Sequence, residues 1–184
     1  MNESPVRIDN VVCTFNLGMS AISLSTLACK CPAFEYDPSH FGAAIIHLVD
    51  PKCTCLIFGS ASGVCVGGKS MESAHLGLTV AINVIRNSGF REAHVSDFKI
   101  RNVVGSVNAG VPVNLMKIYN DSSITCSYNP VLFPGLRCKP VESHSSSALI
   151  YDTGAVVITG CRSVSSCQSL GCSILKLCRK YALS

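Results

Sequence analysis

Long apolar runs are missing from this chain. Nothing in its 184 residues approaches the roughly 20 consecutive apolar residues that a membrane-spanning helix needs. The N-terminus, Met1 to Asp9, is polar and lacks the apolar stretch of a secretory leader. An intracellular, soluble protein is therefore expected. Charge is also sparse, at 14% Asp, Glu, Lys and Arg, and the formal net charge is only +4. That balance permits an anionic partner without demanding one. What is abundant is apolar material, 48% of residues with a mean hydropathy of +0.38. This is ample for a packed core and excludes both a disordered tail and a disulfide-stapled miniprotein. The twelve cysteines are expected to stay reduced, as intracellular thiols do.

The strongest internal signal is a repeat. Ile8-Asp9-Asn10-Val11-Val12 returns as Ile100-Arg101-Asn102-Val103-Val104, an offset of 92 residues. At the same offset Asn16 and Gly18 meet Asn108 and Gly110, Tyr36-Asp37-Pro38 meets Tyr128-Asn129-Pro130, and Phe41 meets Phe133. One inserted residue moves Leu56-Ile57-Phe58 onto Leu149-Ile150-Tyr151, and Gly67 onto Gly160, at an offset of 93. A period this long, used twice, does not suit a solenoid. It divides the chain into a tail of residues 1–7 and two repeats, 8–91 and 92–184.

Within the first repeat, Ile8 to Asn16 reads as a strand and Ser20 to Lys30 as a short helix. Strands over Phe41 to Val49, Lys52 to Gly59 and Gly63 to Gly67 follow, with Asp50-Pro51 as a turn. Ser70 is placed to cap a long helix carrying Ala74, Leu78, Ala81, Ile82 and Ile85 on one face and ending at Gly89. In Thr54-Cys55-Leu56-Ile57-Phe58 both parities are apolar, so both faces of the sheet expect dry neighbours. Helices can cover one. The other requires an apolar partner such as a protein, a lipid or the floor of a DNA minor groove.

Five blocks, in order, resemble the core of the TATA-box-binding protein family from about Val6 to Lys180. They are Asn10-Val11-Val12 with Asn16-Leu17-Gly18, Glu35-Tyr36-Asp37-Pro38 before Phe41, Asp97 through Ser106, Leu132-Phe133-Pro134-Gly135-Leu136, and Val157-Ile158-Thr159-Gly160. The fold this resemblance implies is α+β, a pseudo-two-fold saddle with a ten-stranded antiparallel concave sheet and four convex helices. The function it implies is non-enzymatic: a nuclear general transcription initiation factor that binds A/T-rich promoter DNA in the minor groove, kinks it and nucleates assembly of the preinitiation complex. It also implies that no cofactor and no metal is needed.

By position, the resemblance makes Phe41 with Phe58, and Phe133 with Tyr151, the aromatic wedges that unstack base steps. Tyr151 is a departure, because its hydroxyl wants a partner when buried. Asn10 and Asn102 would donate to the acceptors of A·T pairs. Val12, Val104, Val64 and Val157 would press on the groove floor, Leu56 and Leu149 would support the wedges, and Thr159 keeps a hydroxyl for a base or sugar that its DNA-facing counterpart Val66 lacks. Lys69, Lys139 and Arg162 would meet phosphates. A B-type initiation factor is expected on the second stirrup at Asn129, Val131 and Leu132, beside other general factors and the polymerase machinery. Whether free molecules pair with one another is left open.

The repeats differ in charge. Residues 8–90 hold four Lys/Arg against five Asp/Glu, while residues 100–180 hold eight against three. Ser39, His40, His47 and Ser62 occupy first-repeat positions that are usually basic in the family, so weaker, less salt-sensitive DNA binding is expected. The long helix presents Ser73, His75, Thr79 and Asn83, and so is poor in the cations relatives use to bind partner factors. Most cysteines read as buried small hydrophobes; Cys29-Lys30-Cys31 is a zinc candidate only as a lone CxC. Two rivals remain: a transcription-factor-binding module with weak or absent DNA binding, and an enzyme pairing a cysteine with His40, His47, His75, His94 or His144. No local signature supports the second.

Overall fold

The protein is described by a computed structural model covering residues 6–140 and 145–183. In chain order the described residues form β1 (Arg7–Asn16), α1 (Leu24–Lys30), β2 (Phe34–Glu35), β3 (Ala43–Leu48), β4 (Cys53–Phe58), β5 (Ser62–Gly68), α2 (Met71–Asn87), β6 (Ser96–Asn108), α3 (Leu115–Tyr119), β7 (Thr125–Ser127), β8 (Leu136–Lys139), β9 (Ser147–Ile150), β10 (Ala155–Cys161) and α4 (Val164–Lys180). The strands are hydrogen-bonded in the order β2-β3-β4-β5-β1 in the first repeat and β6-β10-β9-β8-β7 in the second. With the four helices they make the α+β architecture that the family resemblance implied. Two compact units result, an N-terminal one of Asn10–Arg101 and a C-terminal one of Asn102–Ser184 with the segment Met1–Asp9.

In the N-terminal unit, alternation in the strands does the sorting. Cys13, Phe15, Ala44, Ile46, Cys55, Ile57 and Cys65 are buried under the helices, while Val12, Thr14, Ile45, Leu56, Phe58 and Val64 on the opposite parity are only half-buried. Helix α2 begins where expected: the Ser70 side chain accepts from the Ser73 backbone, and the Ser73 side chain accepts in return from the Ser70 backbone. This reciprocal box makes Ser73 a half-buried cap rather than the exposed surface residue anticipated. The stripe Ala74, Leu78, Ala81, Ile82 and Ile85 is buried, and the chain leaves the helix through Gly89 at φ +100°, a conformation that favours glycine.

Two local expectations change. Helix α1 starts at Leu24, capped by Ser23, not at Ser20. Ile22 is buried and its N–H goes to the Gly59 carbonyl at 3.0 Å, so that residue is tied to the sheet instead of the helix. The two-residue strand Phe34–Glu35 against Ile45 and Ile46 was also not anticipated, being too short to show a period.

The C-terminal unit repeats the plan. Helix α4 is capped by an identical Ser163 and Ser166 box, and buries Cys167, Gly171, Ile174, Leu175 and Cys178. Burial pushes the Cys178 thiol up to about 11 and the Cys167 thiol to about 12, which keeps both neutral and inert. One cysteine pair departs from the reduced state expected throughout. Cys126 and Cys138 are joined as a disulfide between β7 and β8. They face one another directly in register, at the positions where the first repeat pairs Phe34 with Ile46. A cross-strand apolar contact has become a covalent one. No helix among the described residues is long and apolar enough to cross a membrane.

Candidate nucleic-acid interface

Each unit leaves one face of its strands free of helices, and the anticipated contact residues lie there. In the N-terminal unit Asn10, Val12, Leu56, Phe58, Val64 and Val66 are all half-buried, alternating with buried neighbours. In the C-terminal unit Asn102, Val104, Leu149, Tyr151, Val157 and Thr159 repeat this. A face that is apolar yet incompletely covered is the signature of a binding surface.

Phe41 does not begin a strand, as its sequence position suggested. It ends a turn before β3, with its N–H bonded to the Asp37 carbonyl at 2.9 Å. Phe133 ends the corresponding turn, bonded to the Asn129 carbonyl at 3.0 Å. The turns lift the rings off the sheet, leaving Phe41 46% and Phe133 45% exposed. Each then meets its anticipated partner edge to face: Phe41 and Phe58 centroids are 6.4 Å apart, Phe133 and Tyr151 centroids 6.1 Å. Such a pair braces the outer ring through offset aromatic contact. Asp37 is held as a carboxylate by Ser39 and His40, whose hydrogen bonds draw its pKa below the usual range.

Asn10 and Asn102 each hold a β-bulge in place. Opposite Val12, strand β5 spends two residues, Val66 and Gly67, and the register shifts there. Gly67 sits at φ +99°, and its N–H, turned out of the ladder, donates to Asn10 Oδ1 at 2.8 Å. In the C-terminal unit the bulge comprises Thr159 and Gly160 opposite Val104, and the Gly160 N–H donates to Asn102 Oδ1 at 2.8 Å. Because an N–H must meet an oxygen, each bond fixes the amide orientation. The Nδ2 donor is left over, with no partner among the described residues. Bulge-holding and donation are therefore compatible in one side chain.

The cations divide unevenly. Lys69 is exposed after β5 and lines a recess of ≈ 320 Å³ with His47, Thr54 and Val66. Lys139 and Arg162 are exposed in the C-terminal unit. Sequence reasoning passed over Arg137. It stands beside Leu149 in register and lines a recess of ≈ 380 Å³ with Phe133, Leu149 and Thr159. Its repeat counterpart is Ile45, paired with Leu56. The parity of Leu136-Arg137-Cys138-Lys139, buried and exposed in turn, was the available signal.

At the second stirrup, Asn129 Oδ1 accepts from the Val131 N–H at 3.2 Å, which leaves Val131 91% and Leu132 82% exposed. The described histidines are all engaged: His40 with Asp37, His47 with Thr54, His75 stacked on Phe98 and His94 with the Glu92 carbonyl. His144 lies outside the described residues. Cys29 is exposed and Cys31 terminates α1; neither joins the group of converging metal-type ligands, which lies elsewhere.

Comparisons with known proteins identify the family. The family described as "Transcription factor TFIID (or TATA-binding protein, TBP)" matches residues 5–88 and 97–181. The chain belongs to this family. It is 36% identical over 156 residues to the TATA-box-binding protein of Acetabularia peniculus, covering 85% of this chain and 80% of that protein. With the TATA-box-binding protein of Acanthamoeba castellanii it shares 37% over 155 residues, 84% of this chain and 59% of that one. For Xenopus tropicalis the figures are 36% identity, 85% and 52%. The chain thus spans little more than half the length of these last two relatives. Among solved structures it resembles the TBP of Methanococcus jannaschii with a TM-score of 0.77 and 28% identity, over 96% of this chain and 99% of that one. Membership in this family makes it a transcription protein with the family's fold.

Proposed function

We propose that the chain binds A/T-rich promoter DNA in the minor groove, bends it by inserting its aromatic pairs between base steps, and thereby nucleates initiation-complex assembly in the nucleus. The observation that carries this reading is the recurrence of one constellation in both units: an edge-to-face aromatic pair and a bulge-locked asparagine with an unused amide donor. Between them lies an apolar floor of half-buried valine and leucine. Apolar floors tolerate adenine and thymine edges but would leave the guanine amino group unpaired. Asn10 and Asn102 supply donors where A·T pairs offer only acceptors. Arg137, Lys139, Arg162 and Lys69 supply charge for phosphates. Val131, Leu132 and Asn129 are the surface offered to a B-type initiation factor.

Fluorescence anisotropy with A/T-rich and G/C-rich duplexes, combined with end-to-end energy transfer for bending, tests the reading. Preferential binding and bending of the A/T-rich duplex is expected. Equal weak affinity for both without bending would favour a protein-binding module instead.

A further inference from the structure

The two units differ most beneath helix α2. Four cysteines on the helix-covered face of the N-terminal unit, Cys13 on β1, Cys53 and Cys55 on β4, and Cys65 on β5, are all buried. Register brings them together. Cys65 is paired with Cys13 on one side and Cys55 on the other, and Cys53 shares the Cys55 face two residues earlier. The sulfurs of Cys53, Cys55 and Cys65 all lie within 4.8 Å of one another. The Cys13 thiol donates to Cys65, and that hydrogen bond together with burial raises its pKa. Among the described residues this is the one place where metal-type ligand atoms converge in such a group.

Two observations separate the cluster from ordinary core filling. The repeat counterparts of the four cysteines are Gly105, Ser146, Ala148 and Ile158, so the same fold fills these four strand positions without cysteine, and the one sulfur beside them, that of Cys167, comes from α4. The helix above is also opened for it. Gly77 lies inside α2, and a β-carbon there would overlap Cys53 Sγ. Glycine inside a helix weakens it, whereas its counterpart in α4 is Leu170. Neutral buried thiols make poor nucleophiles. A cation among them would supply the charge that a buried thiolate otherwise lacks.

We propose that Cys13, Cys53, Cys55 and Cys65 bind one thiophilic d10 metal ion, zinc under cellular conditions, as a closed structural site. An all-sulfur set of four matches structural zinc and leaves no position for substrate. Zn–S bonds of about 2.3 Å place tetrahedral sulfurs roughly 3.8 Å apart, which Cys53, Cys55 and Cys65, already within 4.8 Å of one another, reach by side-chain rotation, while Cys13, outside that group but paired with Cys65, would turn in as the fourth. Four thiols and Zn²⁺ give a tetrathiolate centre of charge −2 and four released protons, so charge balances. The ion would tie β1, β4 and β5 together behind the face that carries Val12, Leu56, Phe58 and Val64.

The test uses the full reduced chain supplied with Zn²⁺, dialysed, and measured by elemental analysis and zinc-edge X-ray absorption. About one zinc per chain in an all-sulfur shell of four is expected, retained in Cys29→Ala/Cys31→Ala and reduced at least tenfold in Cys53→Ala/Cys55→Ala. A strong chelator should lower the melting temperature of the wild-type chain. No stoichiometric zinc, a shell containing nitrogen or oxygen, or loss of zinc with Cys29 and Cys31 would each overturn the proposal. So would removal of zinc without any change in melting temperature. If the Cys53/Cys55 variant fails to fold, the wild-type absorption shell and the Cys29/Cys31 variant decide the matter.

Discussion

The bulge-locked asparagine offers a way to separate folding from recognition in one side chain. Asn10→Asp keeps an oxygen where Gly67 N–H donates at 2.8 Å, but replaces the amide donor with a carboxylate oxygen. Asn10→Ala removes both. The alanine variant leaves the Gly67 N–H without its acceptor in a half-buried bulge, a loss of about 1–3 kcal/mol. The aspartate variant retains that bond, so its stability loss should be smaller, about 1 kcal/mol or less. Binding should order differently. Losing one base-edge donor costs about 1–3 kcal/mol, a factor of roughly 5 to 150, and a carboxylate facing groove acceptors and phosphates adds repulsion. Denaturant unfolding measures the first ranking, and anisotropy titration against an A/T-rich duplex the second. Aspartate should be the more stable variant and no better a DNA binder. Wild-type affinity in Asn10→Asp would refute the role assigned to Nδ2, and equal destabilisation by both variants would refute the bulge lock.

Other outcomes follow from the same geometry. Phe41→Ala with Phe58→Ala should abolish bending in the energy-transfer assay while far-ultraviolet circular dichroism stays native, because Phe41 is 46% exposed. Arg137→Ala with Lys139→Ala should reduce the slope of log affinity against log salt by about two, since each neutralised phosphate contributes roughly 0.9; an unchanged slope would remove both from the interface. Ser70→Ala should destabilise the chain by about 1 kcal/mol in urea unfolding through loss of the α2 cap. Asp121 is held below the usual carboxylate range by hydrogen bonds from Ser123, Lys180 and Tyr181. Its contribution is therefore fully present above the unfolded carboxylate value of about 3.9 and is lost as pH falls through the folded value. Asp121→Asn should flatten the acid limb of the stability–pH profile, and a limb of unchanged steepness would assign it to other carboxylates.

Much of the organisation was legible without coordinates because it rests on periodicity. The 92-residue echo, the Ser70 cap and the stripe from Ala74 to Ile85 are patterns of local chemistry, readable wherever hydrophobic period and capping residues coincide. That Leu56 and Phe58 share one face followed from alternation, and the family resemblance said that this face is the open one. Arg137 was equally legible, by its offset from Ile45 and by the parity of Leu136–Lys139, whereas net charge per repeat does not say which face a cation occupies.

Other features depend on partners distant in the chain. Nothing near Asn10 announces that its oxygen will meet Gly67, since that bond exists only once β5 bulges against β1. Ring pairing of Phe41 with Phe58, and of Phe133 with Tyr151, requires both the turn and the strand end to be placed. The same holds for the Cys126–Cys138 bond and for the convergence of Cys53, Cys55 and Cys65. Spacing alone pointed to Cys29 and Cys31, neighbours in sequence that do not join that group. The sequence by itself determined the repeat, the helix-covered face and the residue types on the open one. Cross-strand register, which only the folded backbone sets, decided which side chains meet and what each polar atom has left to offer.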